Sequence, residues 1–393
     1  MDRIRILDTT LRDGDQAAGA AIRPQDKIEL ALQLERLKVD VIEAGFPAAS
    51  EVELASVREI AAGIRNCVVS AFARGTRWDI ERAGEALAMA RAPRIEVAVP
   101  VSDLHIERQL CKSREDALEM TRESVRLARK LVSDVQWIGV DATRADQDYL
   151  ARHMEAAIAA GASTVSIADT VGFITPPEMD ALVRHLIDTV EGMHKSVLSV
   201  HCHDDLGLAT ANTLTALLAG AREAQCTVNG LGERAGNAPL EEIVMAMTVR
   251  RDRYPFLLDV DTRELAEISH MVARMSGFDV SPNKAVVGSN AFSHGSGMHQ
   301  DALLKAAETY QIIDPALVGD PGQRIVIGPH SGRHGLHHKF LTLGWKLEGE
   351  ALDRAFGMVK ELAKGRKILG DDELLAIARQ CQDQPGDSRG GRP

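Results

Sequence analysis

The sequence predicts a (β/α)8 TIM barrel followed by a small, mostly helical C-terminal subdomain. Eight short runs rich in Val and Ile recur between residues 4 and 229, and most of them precede an amphipathic helical pattern. Alternating strands and helices form a parallel sheet, and eight such units close into a barrel. An open, doubly wound sheet would instead carry a Gly-rich phosphate turn after its first strand, and residues 8–14 (DTTLRDG) are not such a turn.

The elements follow one another at a regular interval. The predicted strands lie at residues 4–7, 41–43, 68–72, 95–99, 135–140, 164–168, 197–200 and 224–229. The clearest predicted helices lie at residues 25–37, 113–131, 177–190 and 206–219. Ser113, with Asp116 three residues later, is typical of a capping box at the start of a helix. We expect the catalytic barrel to occupy residues 1–255.

The chain changes character after residue 255. Residues 256–382 predict lid and linker subdomains that reach over the active site. We expect a helix at 262–277, an irregular segment rich in Gly, His and Asp at 281–328, and further helices at 350–364 and 371–380. The tail, residues 383–393 (DQPGDSRGGRP), is predicted to be disordered.

Composition argues against several classes of function. The formal net charge is −11, whereas binding to nucleic acid requires clustered Lys and Arg. The sequence contains no run of 18 or more apolar residues, so we expect no membrane span. The N-terminus (MDRIRILDTTLRDG) lacks the apolar segment of a signal peptide. Five scattered cysteines, an odd number, are typical of reduced thiols, and together these features predict a cytoplasmic protein.

Polar residues follow nearly every predicted strand. In a TIM barrel the catalytic side chains gather at the C-terminal ends of the strands. A purely structural barrel would not require so many polar residues at that rim. They are Asp8, Arg12, Asp13, Glu43, Arg74, His105, Asp169, Thr170, and those within residues 201–205 (HCHDD) and 232–237 (GERAGN).

The most specific signal is the pair His201 and His203. Residues i and i+2 of a strand project to the same side, so both imidazoles can reach one ion. Asp13 offers a carboxylate and Asn237 a neutral oxygen from neighbouring strand ends, since strand eight lies between strands seven and one. Such a set suits Mn²⁺, Zn²⁺, Mg²⁺ or Fe²⁺. An isolated pair of this kind is more often a hydrogen-bonded core element, but its position at this rim favours a metal site.

A fixed positive charge lies next to the predicted metal site. Arg12 precedes Asp13, where its guanidinium would stabilise an enolate or alkoxide. Glu43, on the next strand, is placed to hold Arg12. The alternative is an ordinary surface ion pair for Arg12 and an inert carboxylate for Glu43.

Four stretches at these strand ends resemble the 2-isopropylmalate, homocitrate and citramalate synthases, the alkylmalate synthases of the metal-dependent DRE-TIM group. They are residues 8–16 (DTTLRDGDQ), 41–47 (VIEAGFP), 201–207 (HCHDDLG) and 230–237 (GLGERAGN). The resemblance extends beyond the barrel to residues 283–288 (NKAVVG), 293–301 (SHGSGMHQD) and 308–310 (ETY). We would not expect this later segment in related aldolases and lyases, so the resemblance favours condensation over cleavage.

The resemblance implies an acyltransferase that condenses acetyl-CoA with a 2-oxo acid, giving a 2-substituted malate and free CoA. It implies that Arg12 polarises the substrate carbonyl and that Thr170 holds the substrate carboxylate. His299 and Tyr310 would assist the enolisation of acetyl-CoA from a segment that is exchanged between the subunits of a homodimer. The metal ligands implied are Asp13, His201, His203 and Asn237.

Strand five departs from the family pattern. Synthases of this group commonly end it with Ser-x-Glu, and here Ile138 and Val140 occupy those positions. Asp141 would point the other way on a strand, which makes it a poor substitute. The change is compatible with 3-phosphonopyruvate, the substrate of phosphonomethylmalate synthases, with a larger aliphatic or aromatic 2-oxo acid, or with 2-oxoisovalerate in an apolar pocket. Arg74 and His105 are weaker candidates for contacts with the substrate.

Three alternatives remain open at this point. The first is a homocitrate synthase, which uses a different 2-oxo acid. The chain stops where leucine-regulated synthases continue into an effector domain, a trait that short homocitrate synthases share, so we do not expect feedback by leucine. A lyase or aldolase on the same barrel is the second. The third is a binding protein on a barrel that has lost its activity, which the intact set of predicted ligands argues against.

Overall fold

The computed structural model describes residues 2–322, 324–365 and 368–382. The predicted disordered tail, residues 383–393, lies outside this described part of the chain. The chain divides into two compact units between Val280 and Ser281. No helix within the described residues is long and apolar enough to cross a membrane.

Eight parallel strands form a closed barrel in the first unit, which confirms the predicted fold class. β8 pairs with both β7 and β1, as the placement of the metal ligands requires. The strands are Arg5–Asp8 (β1), Val41–Glu43 (β2), Val68–Arg74 (β3), Pro93–Pro100 (β4), Asp134–Val140 (β5), Thr164–Asp169 (β6), Val197–Cys202 (β7) and Glu223–Cys226 (β8). β8 ends three residues earlier than predicted, because the chain enters a 3-10 turn at Val228–Gly230 in which Asn229 is left-handed.

Helices follow the strands of the first unit. They are Pro24–Leu37, Glu51–Gly63, Arg77–Ala86, Asp103–His105, Arg114–Leu131, Gln147–Ala160, Pro176–Thr189, Ala209–Ala219, Leu240–Val249 and Leu265–Ser276. Shorter turns lie at Gly14–Gln16, Ile106–Leu110, Ala142–Arg144, Met193–Lys195 and Thr262–Glu264. The predicted capping box is confirmed, because the Ser113 hydroxyl accepts from the backbone of Asp116 while the Asp116 carboxylate accepts from the backbone of Ser113.

The strand register decides which side chains face the barrel interior. Partners in a parallel pair project to the same side, and Ser70 on β3 is the partner of Glu43 on β2. Deeper in the barrel, Arg94 is only 1% exposed and its Nη1 donates to a carboxylate oxygen of Glu223 at 2.9 Å. This buried polar layer lies below the C-terminal rim and supports the site from beneath.

The second unit has its own hydrophobic core. Phe340 and Leu374 are fully buried within it. Its helices are Gly297–Lys305, Arg333–Thr342, Gly349–Leu362 and Asp371–Gln382, with 3-10 turns at Ala307–Thr309 and Pro315–Val318, and a two-stranded pair at Ser293–His294 and Arg324–Ile325.

Two predictions about this part of the chain were wrong. The segment 281–328, predicted to be irregular, contains helix Gly297–Lys305, whose Gly and His residues obscured its apolar pattern. The boundary between the units lies at residue 280 instead of near 255. Helix Leu265–Ser276 belongs to the first unit because Asn229, after β8, donates its side-chain amide to the carbonyl of Ser269.

Candidate active site

Three buried side chains converge at the C-terminal rim of the barrel. His201 is the penultimate residue of β7, His203 follows the strand, and Asp13 lies in the loop after β1. The two Nε2 atoms are 3.1 Å apart, and they lie 3.8 and 3.9 Å from Oδ2 of Asp13. The candidate ligand atoms all lie within 4.8 Å of one another. One ion can therefore be bound by both nitrogens and the carboxylate.

Asn237 lies beside this cluster with an unused oxygen. Its side-chain amide donates to Oδ1 of Asp13 at 2.8 Å, while its own Oδ1 is buried without a hydrogen-bond partner. Gly232 leaves the space that both groups need, because a Cβ there would lie 2.0 Å from Nδ2 of Asn237. The structure thus brings together all four predicted ligands.

The protonation states of the three groups suit a cation. Burial, and then the charge of His203, lower the pKa of His201 to about 3. Burial also lowers the pKa of His203. Burial alone would raise the pKa of Asp13, but Arg12 and the two histidines hold it well below its usual range. Neutral imidazoles and an ionised carboxylate are the forms that bind metals, so the residues present fit a divalent ion.

Arg12 bridges the metal cluster and the neighbouring strand. Its Nη1 donates to Asp13 and its Nε donates to Glu43, each at 2.8 Å. Glu43 is fully buried and also accepts from the hydroxyl of Thr9. The predicted role of Glu43 in holding Arg12 agrees with these contacts. The surface ion pair considered as the alternative is wrong, because the Arg12 side chain is only 11% exposed.

An apolar wall faces the charged part of the rim. It consists of Phe72 on β3, Ala98 on β4, Ile138 and Val140 on β5, and Ala168 on β6. Ala168 is the register partner of His201, which places the wall next to the predicted metal ligands. At its other end, the Phe72 ring lies 4.8 Å below the Arg12 guanidinium. The apolar wall therefore extends from the metal cluster to Arg12.

Asp141 differs from the expectation for a strand residue. The strand ends at Val140, and Asp141 adopts a left-handed conformation with φ 62°. Its buried carboxylate accepts from Nδ1 of His105 at 2.8 Å and from both Nε and Nη2 of Arg144. Its backbone N–H donates to the hydroxyl of Thr170 at 2.8 Å. Asp141 thus ties His105 and Thr170, two predicted substrate contacts, to the end of β5.

Three predicted site residues, Arg74, His299 and Tyr310, contact residues outside the cluster. Arg74 ends β3, where its guanidinium pairs with Asp79 at 2.7 Å. His299 and Tyr310 lie in the second unit, where their rings stack with centroids 4.0 Å apart. Substrate contacts by Arg74 and catalysis by the stacked pair stay predictions.

Sequence reasoning missed two contributors to the site. Asp141 was set aside on strand parity, and only its left-handed backbone brings it to His105. Glu96 shares inward parity with Ala98 on β4, so strand periodicity alone would have identified it as an interior carboxyl.

The fold and the site together define a TIM-barrel protein with a buried cluster that could hold a metal ion at the C-terminal rim of its barrel. The family profile described as HMGL-like matches residues 3–272, and one described as homocitrate synthase post-HMGL domain-like matches residues 286–367. The chain belongs to the HMGL-like family, and it groups with proteins named 2-isopropylmalate synthase. The predicted resemblance to alkylmalate synthases is confirmed.

Two such relatives cover almost the whole chain. The 2-isopropylmalate synthase of Carboxydothermus hydrogenoformans is 47% identical over 97% of this chain and 75% of its own length. That of Pyrococcus abyssi is 46% identical over 97% of this chain and 78% of its own length. Among solved structures, the Bacillus subtilis HMG-CoA lyase has a TM-score of 0.61 at 21% identity, covering 71% of this chain and 96% of the lyase, which shows a shared fold alone.

The cluster predicts an unusual pH dependence for metal binding. Between pH 8 and pH 6, affinity for Mn²⁺ is expected to fall less than about fourfold, since the pKa of His201 lies near 3 and the pKa of His203 is also lowered. Two imidazoles with pKa values of about 6.5 would lose roughly 15-fold over the same range. Calorimetric titration measures this loss of affinity. His201→Ala is expected to abolish binding, whereas His194→Ala, in the turn before β7, should retain it. A steep loss by pH 6 would contradict the account.

Proposed function

We propose that this protein is an acyltransferase that condenses acetyl-CoA with a 2-oxo acid to give a 2-substituted malate and CoA. The observation that carries the proposal is the cluster of Asp13, His201 and His203 with Arg12 bound to its carboxylate. The names of the two relatives support the same reaction class. A lyase or a non-catalytic barrel protein has no specific observation in its favour.

The residues of the rim divide the chemistry between them. A divalent ion, Mn²⁺, Mg²⁺ or Zn²⁺, would be held by Asp13, His201, His203 and Asn237, and would supply Lewis-acid polarisation of the keto group. Arg12 directs a fixed positive charge to the oxygen that becomes an alkoxide. Because the Thr170 hydroxyl accepts from the Asp141 backbone, its own proton is left to donate to the substrate carboxylate.

The apolar wall favours an uncharged side chain on the 2-oxo acid. Its members are apolar, and Ile138 and Val140 replace the polar residues that the family commonly carries there. An anionic side chain, as in 2-oxoglutarate or 3-phosphonopyruvate, would lose its hydration against this wall without gaining a partner. We therefore favour 2-oxoisovalerate, which makes the product 2-isopropylmalate, over the substrates of homocitrate and phosphonomethylmalate synthases. Arg74 and His105 remain proposed contacts at the edge of this pocket.

Enolisation of acetyl-CoA requires a base, and we assign this role to His299 with Tyr310. The thioester methyl is weakly acidic, so proton removal must coincide with stabilisation of the enolate. The stacked rings of this pair hold the imidazole beside the phenol. Attack of the enolate carbon on the keto carbon forms the new C–C bond, and hydrolysis of the thioester then releases CoA and makes the reaction irreversible.

The proposed assembly is a cytoplasmic homodimer in which the second unit of each subunit completes the site of its partner. The resemblance to synthases with an exchanged segment supports this arrangement.

Release of thiol tests the proposed reaction. Metal-loaded protein is incubated with acetyl-CoA and, separately, 2-oxoisovalerate, pyruvate, 2-oxoglutarate, oxaloacetate, phenylpyruvate and 3-phosphonopyruvate. Ellman's reagent is expected to report CoA release with 2-oxoisovalerate at a rate at least tenfold higher than with 2-oxoglutarate or oxaloacetate. The variant His201→Ala is expected to release no CoA. If none of the acids gives CoA release, the proposed synthase activity is refuted. Cleavage of a 4-hydroxy-2-oxo acid or a 3-hydroxyacyl-CoA would identify a lyase instead.

Mixing two inactive variants tests the exchanged dimer. His201→Ala lacks a metal ligand and His299→Ala lacks the base, so each is expected to release no CoA alone. After the two are refolded together, mixed dimers contain one site with both residues, and activity should recover to about a quarter of wild type, as random pairing gives. Light scattering reports the dimer. No recovery from well-mixed dimers would show that each site uses residues of one subunit.

A further inference from the structure

Besides Asp13 and Glu43, a further buried carboxyl group lies beneath the candidate active site. It belongs to none of the residues that are proposed to bind metal or substrate. Glu96 faces inward on β4 and has no exposed surface. The Ser70 hydroxyl donates to its Oε1 at 2.5 Å. Its other oxygen, Oε2, is buried without a hydrogen-bond partner. Among the residues that the structure describes, no ion pair includes Glu96, so this carboxyl has no cationic partner in contact.

Glu43 presents a matching vacant acceptor. Its Oε2 accepts from Arg12 and Thr9, while its Oε1 is buried without a partner. Ser70 connects the two acids, because it is the register partner of Glu43 and the hydrogen-bond donor to Glu96. Glu43 on β2 and Glu96 on β4, on either side of β3, thus each keep one buried carboxyl oxygen without a partner.

The charges in this region do not balance if both acids are ionised. Arg12 is already shared by Asp13 and Glu43, and Arg94 by Glu223 and Asp134. An unpaired buried carboxylate is costly, and two adjacent carboxylates favour holding one proton. Burial, and next the charge of Glu43, raise the pKa of Glu96 well above its ordinary value. Burial also raises the pKa of Glu43, but Arg12 opposes that effect through its charge and its hydrogen bond, whereas Glu96 has no cation in contact within the described part of the chain. The shared proton is therefore better placed on Glu96.

We propose that Glu96 is a neutral carboxylic acid whose Oε2 donates its proton to Oε1 of Glu43, making Glu96 a positioning residue for Arg12. The proton gives every oxygen of the pair a partner and leaves Glu43 as the single negative charge facing Nε of Arg12. The contacts then run from Ser70 through Glu96 and Glu43 to Arg12. The consequence for catalysis rests on the proposed function, whereas the protonation state does not.

Infrared spectroscopy tests the protonation state directly. At pH 8 ordinary glutamates are ionised, and a protonated carboxyl gives a C=O stretch at higher frequency than carboxylates or amides. The wild-type-minus-Glu96→Gln difference spectrum is expected to contain this band, and it should shift on transfer to D₂O. Glu29→Gln, at an exposed glutamate, is the matched control and should remove only carboxylate bands. A difference spectrum with carboxylate bands alone would overturn the proposal. The same spectrum is expected if a monovalent cation, instead of a proton, neutralises the pair.

The kinetic test compares two replacements of Glu96. Glu96→Leu removes the donor to Glu43, and kcat is expected to fall about tenfold or more with little change in KM. Glu96→Gln keeps an N–H donor and an acceptor for Ser70, and should rescue most of that loss. Equal losses in both variants would overturn the positioning role. If no CoA release is found in wild type but the infrared band is present, the proposed function fails and the acid pair stands. If Glu96→Leu does not fold, the spectrum and Glu96→Gln still decide.

Discussion

The pairing of Arg12 with two carboxylates is the interaction on which the rest of the site depends. One guanidinium binds Asp13 through Nη1 and Glu43 through Nε, so it links a candidate metal ligand after one strand to a buried acid at the end of the next. The planar fork of Arg matches two carboxylates in a way that a single ammonium does not. Its position fixes where positive charge lies beside the cluster, and the same pairing lowers the pKa of Asp13.

This charged half of the rim is set against an apolar half. Side chains on or just after β1, β2, β7 and β8 supply the guanidinium, the carboxylate of Glu43 and the candidate ligands, whereas β3 to β6 supply the apolar wall. Electrostatic interactions are stronger where water is excluded, and the Phe72 ring beneath Arg12 excludes it. The division separates two tasks. In the proposed reaction, one half acts on the groups common to all 2-oxo acids, and the other selects among their side chains.

Periodicity and the order of strand ends were enough to predict the barrel and its cluster. The i,i+2 pair His201 and His203 needed only strand geometry and a closed sheet to be placed near Asp13. The features of the structure that were not predicted depend on backbone conformation and on long-range packing. Asp141 reaches His105 because one residue turns left-handed at the end of β5. The helix Gly297–Lys305 was obscured by its composition, and the protonation of Glu96 depends on charges from several strands.

The rate of CoA release by Arg12→Lys tests the central role of Arg12 most directly. Lys keeps the charge but cannot bind both Asp13 and Glu43 while facing the substrate carbonyl. We predict that kcat falls by about 10²-fold or more, as when a preorganised donor is removed, while Mn²⁺ affinity stays within about tenfold of wild type. A variant that retains the wild-type rate would show that charge alone suffices, and that the geometry imposed by the two carboxylates is not what the site depends on.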